Sequence, residues 1–467
     1  LTMSITTYIP YTPTTGQWVA IQKLGVFFES DEFQVFVLRG YAGTGKTTLL
    51  KGVLDYLDSI KRPSRLMAYT GRAARVMTQK TGRNASTIHS TIYELDGQKS
   101  VVDENTKTLA FKLRPNPDHP DTIYFIDEAS MISDKYEHSQ QLLFDDGRFL
   151  DHIFRYIGSR KLIFLGDDAQ LPPFNSNVIP ALSPEYLQQV YKKQVIETTL
   201  TEVKRQIDAW GIIGNATSLR EKLFADRLPP LGIDKKLGSD IRIENNIWTS
   251  VGKYARLIQN QNEERAVLIV LSNGSAHYLN GQVRNRLYKK PDVPLQPGEW
   301  LMVIQNNYYT GYNNGQHLRL KSFSDTGEKV GTVTLLDAVT TDPHTGKDKE
   351  VKIVKDLLFR ASPYLEPDEE KAFTIDFARR MKKKGIRPKT ENFIRAMQMD
   401  KRFNALKVKF GYAITCHKAQ GGEWNNVFLN IEPALMNQSR ENQYRWMYTA
   451  ITRAAKKLVI PQHPILY

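Results

Sequence analysis

Eight residues, Gly40-Tyr41-Ala42-Gly43-Thr44-Gly45-Lys46-Thr47, set glycines, a lysine and a hydroxyl at the spacing G-x-x-x-x-G-K-[ST]. Glycines there let successive backbone N–H groups curl around phosphate oxygens. A helix beginning directly after the loop adds its positive N-terminal end. The chemistry implied is the binding and cleavage of a nucleoside triphosphate. Gly43, Thr44, Gly45, Lys46, Thr47 and Thr48 are the expected phosphate contacts. Lys46 is expected to reach the β- and γ-phosphates and Thr47 to ligate Mg²⁺.

Two further constellations suit the same chemistry. The apolar run 122–126 ends in Asp127-Glu128, where Asp127 suits the magnesium role and Glu128 the orientation or deprotonation of water. A third apolar run, 161–165, ends in Gly166-Asp167-Asp168-Ala169-Gln170. The Gln170 amide can accept from water and donate to a phosphate, which makes it a candidate γ-phosphate sensor. A polar loop merely lying beside the pocket is the alternative for Gln170.

These residues need elements to hold them. The run 33–38 reads as a buried strand, and 48–57, with leucines at 49, 50, 54 and 57, reads as the helix that must follow. The short apolar runs before Asp127 and Gly166 read as further strands. A chain of 467 residues is long enough for two or three such domains. Its formal charge of +14, from 64 basic and 50 acidic residues, favours a polyanionic partner, nucleic acid first. The single cysteine, Cys416, rules out an internal disulfide framework and a cysteine-based zinc cluster, and fits a reducing compartment. The opening LTMSITTYIP lacks the pattern of a secretory leader, and no run approaches the roughly 20 apolar residues of a membrane span.

The order of motifs resembles that of superfamily 1 DNA helicases of the Dda, RecD and Pif branch, with matches spread from Gln17 to Arg453. Thr14-Thr15-Gly16-Gln17 is similar to the family's first motif, which implies that Gln17 reads the adenine edge. Tyr69–Ala74 and Ser86–Ser90 resemble motifs Ia and Ib, implying single-strand contacts by Thr70, Arg72, Thr87 and His89; ordinary helix caps are the alternative. Asp127–Met131 and Gly166–Pro173 resemble motifs II and III. Leu200–Arg205 resembles motif IV, with Arg205 as first arginine finger. Leu271–Gly274 resembles the element that opens the second motor domain, with Asn273 a DNA contact. YAITCHKAQG at 412–421 resembles motif V, implying DNA contacts by Thr415, His417 and Lys418, with Gln420, Gly421 and Glu423 nearer the interdomain cleft and Gly421 and Glu423 counted among the nucleotide contacts. Tyr448–Arg453 resembles motif VI, with Arg453 as second finger. Alanines 454 and 455 follow where the family often has glycine, leaving the arginine chemistry intact.

The resemblance implies an α/β fold of two RecA-like P-loop NTPase motor domains with a small β-hairpin insertion, 1B, and an SH3-like β insertion, 2B. The expected divisions are 1–92 and 121–190 for domain 1A, 93–120 for 1B, 191–305 and 401–467 for 2A, and 306–400 for 2B with a charged helical segment. Phe111 in the hairpin is a candidate wedge against the first base pair or, equally, packing for the hairpin base. The activity implied is ATP- and Mg²⁺-dependent 5′-to-3′ unwinding of DNA. A single-strand-stimulated translocase that opens duplex weakly, and a nucleotide-gated adaptor, are the alternatives. Partners implied are single-stranded DNA, single-strand/duplex junctions and a single-strand-binding or replication protein, with no membrane and a monomer sufficing. The implied location is cytoplasmic or nucleoid-associated, or the host cytoplasm for a phage product. Replication, repair and recombination all stay open.

Overall fold

The computed structural model describes residues 2–102, 107–136, 142–144, 147–174, 176–203, 210–259, 263–307, 309–388 and 390–467. Its first sheet has six strands in the spatial order Ala85–Thr87, Ser64–Ala68, Ile123–Asp127, Leu162–Gly166, Val35–Gly40, Val195–Leu200, and every pairing is parallel. Successive side chains of a strand point to opposite faces. Phe36, Leu38, Ile123, Phe125, Ile163 and Leu165 accordingly join one core with the helices Thr15–Glu29 and Lys46–Ser59. Val35, Val37, Tyr124, Ile126, Leu162 and Phe164 join another with the helix Phe149–Ile157. Burial on both faces is why these strands read as unbroken apolar runs.

The second sheet has five parallel strands in the order Ile241–Glu244, Ala454–Pro461, Trp424–Leu429, Ala266–Val270, Ala413–Thr415. These are the two expected RecA-like α/β domains. Between them, Tyr41, Ala169 and Leu171 of the first pack in one apolar cluster with Ile414, Cys416 and Tyr448 of the second. Cys416 is fully buried, and burial pushes its thiol well above the ordinary range, so it is a small core residue and no nucleophile.

Three expected boundaries move. Val195–Leu200 pairs along the whole of Val35–Gly40, so the first domain runs through residue 200 and not 190. The second insertion is an antiparallel sheet of six strands that already includes Trp300–Val303 and closes with Val408–Phe410, so it spans 300–410 and not 306–400. The hairpin Tyr93–Val102 with Lys107–Leu113 acquires a third strand, Leu142–Phe144, parallel to its second arm and outside 93–120. An apolar strand states its periodicity in sequence but not its neighbour, and only the neighbour assigns it to a domain.

The charged segment after residue 366 forms the helices Pro367–Lys383 and Glu391–Met399. Phe373 and Phe377 anchor the first inward, and Arg380 of its basic run is held by Asp376 and Asp400. Among the described residues no helix is long and apolar enough to cross a membrane.

Candidate nucleotide site and adjoining cleft

The chemistry-bearing residues of the first domain lie along one edge of its sheet. Gly40, Asp127 and Gly166 end three neighbouring strands, and Thr70 and Thr87 begin helices after two more. In an open parallel sheet this carboxyl edge is where ligands bind.

Gly43 and Gly45 both have φ near +80°, the left-handed region that only glycine enters freely, and Gly45 leads directly into the helix Lys46–Ser59. The Lys46 ammonium lies against the loop's own carbonyls, donating to Gly40 and, at 3.4 Å, to Tyr41. Both are neutral acceptors that an incoming phosphate would outbid electrostatically. Thr47 is partly exposed and Thr48 exposed on the first turn. Thr44 is buried, its hydroxyl donating to Tyr41 O at 2.8 Å.

Gln17 is only 1% exposed and both ends of its carboxamide are engaged. The Thr14 N–H donates to Oε1 at 3.1 Å, and Nε2 donates to Thr44 O at 3.0 Å. The side chain therefore braces the phosphate loop against a helix cap.

Asp127 Oδ1 accepts from the Glu128 N–H at 2.9 Å, and burial raises the Asp127 carboxyl while Lys46 and Lys80 oppose the shift. Glu128 adopts φ 54°, an uncommon left-handed conformation for a non-glycine residue and a local strain of the kind that collects at active sites. Its carboxyl is pushed up to about 7, first by burial and then by Asp127, with Arg453 and Lys46 holding it down. A base poised near neutrality suits proton removal from water. Arg453 comes from the second domain and is 7% exposed. It donates to Thr449 O at 3.1 Å, Gly422 O at 3.2 Å and Thr452 Oγ1 at 3.1 Å. Gln170 is 4% exposed, and its Oε1 is buried without a partner among the described residues. Lys204 and Arg205 lie outside the described residues.

Gly421 and Glu423 sit on the cleft, but against the helix Gly71–Thr81. A Cβ on Gly421 would come within 3.0 Å of Ala73, and Glu423 pairs with Lys80 at 3.5 Å. Both are thus joint residues rather than direct neighbours of the phosphate loop.

A cavity of about 350 Å³ opens between the two domains beside this joint. Thr70, Arg72, Thr87, His89, His417 and Lys418, dispersed over nearly 350 residues of sequence, all line it. Thr70 and Thr87 are also helix caps, accepting from Ala73 and Ser90, so the two readings of these residues coexist. His89 stacks on Phe149 at 4.5 Å between ring centres and meets Tyr69 edge-on. Asn273, Thr415 and Lys418 line a smaller adjoining cavity with His277 and Lys409. Burial pushes Lys418 down to about 8, and burial with the Lys418 and Arg360 charges does the same to Lys409. An anion beside these two buried cations would offset their desolvation and the push of Lys418 on Lys409.

Two DNA-contact assignments need correction. Arg72 reaches the cavity wall, but its guanidinium turns into the joint. It lies 4.4 Å from the Trp424 ring and donates to His317 Nδ1, while His317 Nε2–H donates to Gly411 O at 3.1 Å. Arginine cannot accept, so His317 must be neutral here. Phe111 is 4% exposed within the core that contains Tyr93 and Phe149. It packs the hairpin base and presents no wedge.

Sequence reasoning missed Lys80, Lys409, Asn306, Asn314 and Tyr448. Asn306 and Asn314, in the turn-rich stretch NNYYTGYNNGQ, line the larger cavity. Phe174, 75% exposed and one residue beyond the Gly166–Pro173 motif, makes an edge-on contact with His417.

The family model described as "AAA domain" matches residues 14–222, and that described as "UvrD-like helicase C-terminal domain" matches 410–460. The chain is 24% identical over 452 residues to the ATP-dependent DNA helicase dda of Enterobacteria phage T4, covering 89% of this chain and 92% of that one. It is 23% identical over 432 residues to the ATP-dependent RecD2 DNA helicase of Deinococcus radiodurans, covering 90% of this chain but only 46% of the relative. A solved structure of a Bacteroides Pif1 helicase in complex with ADP-AlF3 and ssDNA aligns over 97% of this chain and 93% of that one, with 16% identity and a TM-score of 0.48.

Proposed function

Because the chain belongs to the superfamily 1 helicases of the Dda/RecD/Pif-like branch, we propose that it is an ATP-dependent DNA helicase moving 5′ to 3′ on single-stranded DNA and separating duplex ahead of it. The observation that carries this reading is the convergence of six scattered residues from both domains on one cation- and aromatic-lined cavity.

The chain's donors fit a magnesium triphosphate. Left-handed glycines turn amides into the loop, the Lys46 ammonium hydrogen-bonds to neutral carbonyls while its charge acts on Asp127 and Glu128, and Thr47 and Asp127 supply the hard oxygens that Mg²⁺ prefers. A Mg²⁺ held by Thr47 and Asp127 would offset the negative charge of the triphosphate. Glu128 takes the proton of the attacking water. Arg453 exchanges the Gly422 carbonyl for the γ-phosphate as the domains close, which supplies charge exactly when the bond to phosphorus loosens only if closure occurs. Backbone phosphates of the strand bind near Lys418 and Lys409, and bases lie towards the ring cluster around His89, giving grip without sequence preference. The direction of travel rests on the family alone.

Fluorescent duplexes bearing only a 5′ or only a 3′ single-stranded tail test the proposal, with ATP turnover measured in the same reactions. Opening of the 5′-tailed duplex alone is expected. Opening of the 3′-tailed duplex alone overturns the polarity. Turnover with neither opened supports the translocase reading, which the buried position of Phe111 favours.

A further inference from the structure

The helix Arg440–Ile451 of the second domain grips the loop that carries Gln170 at three successive points. Arg445 Nη1 donates to Gln170 O at 3.1 Å, the Leu171 N–H donates to Thr449 Oγ1 at 2.9 Å, and the Tyr448 hydroxyl donates to Asp167 Oδ2 at 2.7 Å. Tyr448 does something the other two do not. Its oxygen also accepts the N–H of Ala42, on the arm of the phosphate loop that precedes Gly43, at 3.2 Å. One hydroxyl thus joins the phosphate loop, the Gln170 loop and the helix that leads into Arg453.

The link is built to be rigid. Tyr448 is 1% exposed and Asp167 is 1% exposed, and the second Asp167 oxygen is fixed by the Ala169 N–H at 3.0 Å. A charge-assisted O–H···O⁻ bond in a dry site is stronger than a neutral one, and a buried carboxylate left without its donor is costly. The ring is locked in the apolar cluster shared by both domains, next to Tyr41 and Leu171. On the other side, Gln420 donates to Leu171 O at 3.1 Å, and Gln420 lines the cavity with His417 and Lys418. A continuous set of contacts therefore runs from the phosphate loop through Tyr448, the Asp167–Leu171 loop and Gln420 to the strand cavity.

We propose that Tyr448 is a positioning residue whose hydroxyl couples the phosphate loop to the Gln170 loop, so that nucleotide state sets the grip on single-stranded nucleic acid. The inference rests on the helicase reading above. It assigns Tyr448 no contact with the reacting atoms. Its role is to make two loops and the helix leading to Arg453 move as one body.

Tyr448→Phe removes only the oxygen and keeps the ring in its apolar seat. The measurement is single-strand affinity of the full chain for a fluorescent oligothymidine, once with ADP and once with a non-hydrolysable ATP analogue, beside kcat and KM for ATP with the strand saturating. In the native protein the two affinities are expected to differ. In Tyr448→Phe the ratio should collapse towards one and kcat should fall by about tenfold, with KM changed far less. A residue that merely stabilised the fold would lower the melting temperature and leave the ratio intact. Asp167→Ala, which removes the acceptor at the other end of the same link, guards against a misfolded variant. The two single variants should lose the ratio equally, and the double variant should be no worse than either. An unchanged ratio in Tyr448→Phe, or losses that add in the double variant, overturns the inference while the helicase reading stands. A native protein whose strand affinity ignores nucleotide state, with turnover indifferent to the strand, overturns both.

Discussion

Lowering the pH from 8 to 6 should reduce kcat/KM for ATP by about tenfold if Glu128 takes the proton of the attacking water. The magnitude follows from the carboxyl's position at about 7. A group at that value is about nine-tenths ionised at pH 8 and about one-tenth at pH 6. An ordinary glutamate would lose only a few per cent of its ionised form over the same interval. Burial is the first cause and the Asp127 charge the second, both raising the value, so the neutral form gains as pH falls through it and the base is lost. The assay is strand-stimulated turnover with Mg²⁺ held in excess, since kcat/KM reports the free enzyme. The substrate's own ionisation could mimic such a limb, and Asp167 separates the two. Its charge raises Glu128, so Asp167→Asn should move the acid limb to lower pH whatever it does to the plateau. A native profile level down to about pH 5.5, or a limb that Asp167→Asn leaves in place, refutes the assignment of Glu128 as a base of raised pKa.

Lys46→Ala should abolish turnover, by a factor of at least about 100, while the melting temperature falls little, since among the described residues the ammonium's hydrogen bonds go to loop carbonyls. Native turnover in this variant removes the loop from the chemistry. Lys418, lowered to about 8 by burial, should regain its proton on meeting a phosphate, so strand affinity should fall as pH rises through about 8; Lys418→Gln should flatten that dependence and reduce the salt slope by about one. An unaltered slope places the backbone elsewhere. Phe111→Ala should destabilise the fold by about 3–5 kcal/mol, as large-to-small changes in a core do, and should reduce unwinding and strand-stimulated turnover together. A selective loss of unwinding, with stability kept, would restore the wedge.

The parts of the fold legible in sequence were those fixed by local chemistry. A G-x-x-x-x-G-K-[ST] run after an apolar stretch demands strand, loop and helix, and Val35–Gly40 followed by Lys46–Ser59 answers it. Strand membership was not legible. Val195–Leu200 and Trp300–Val303 each carry an unremarkable apolar pattern, and the first belongs to the sheet before the expected boundary while the second belongs to the insertion after it. Nothing within six residues of chain declares whether the partner will be parallel and preceding or antiparallel and following.

The site divides along the same line. Residues whose chemistry acts on a phosphate could be named from type and spacing, whereas residues whose work is to join the two domains could not. Arg72 shows why. A motif match marks it as a phosphate contact, and its type suits that role, yet Trp424 and His317 hold its guanidinium between them and burial brings its pKa down to about 9, still charged at neutral pH. Those partners come from 245 residues or more along the chain, and their approach depends on how the insertion and the second domain seat against the helix Gly71–Thr81. Gln17 likewise has a role that type alone does not declare, its amide tying the Thr14 cap to Thr44 of the phosphate loop. In a protein whose output is relative motion of domains, side chains at the joint matter as much as those at the bond being broken, and they are recognisable only once the joint is assembled.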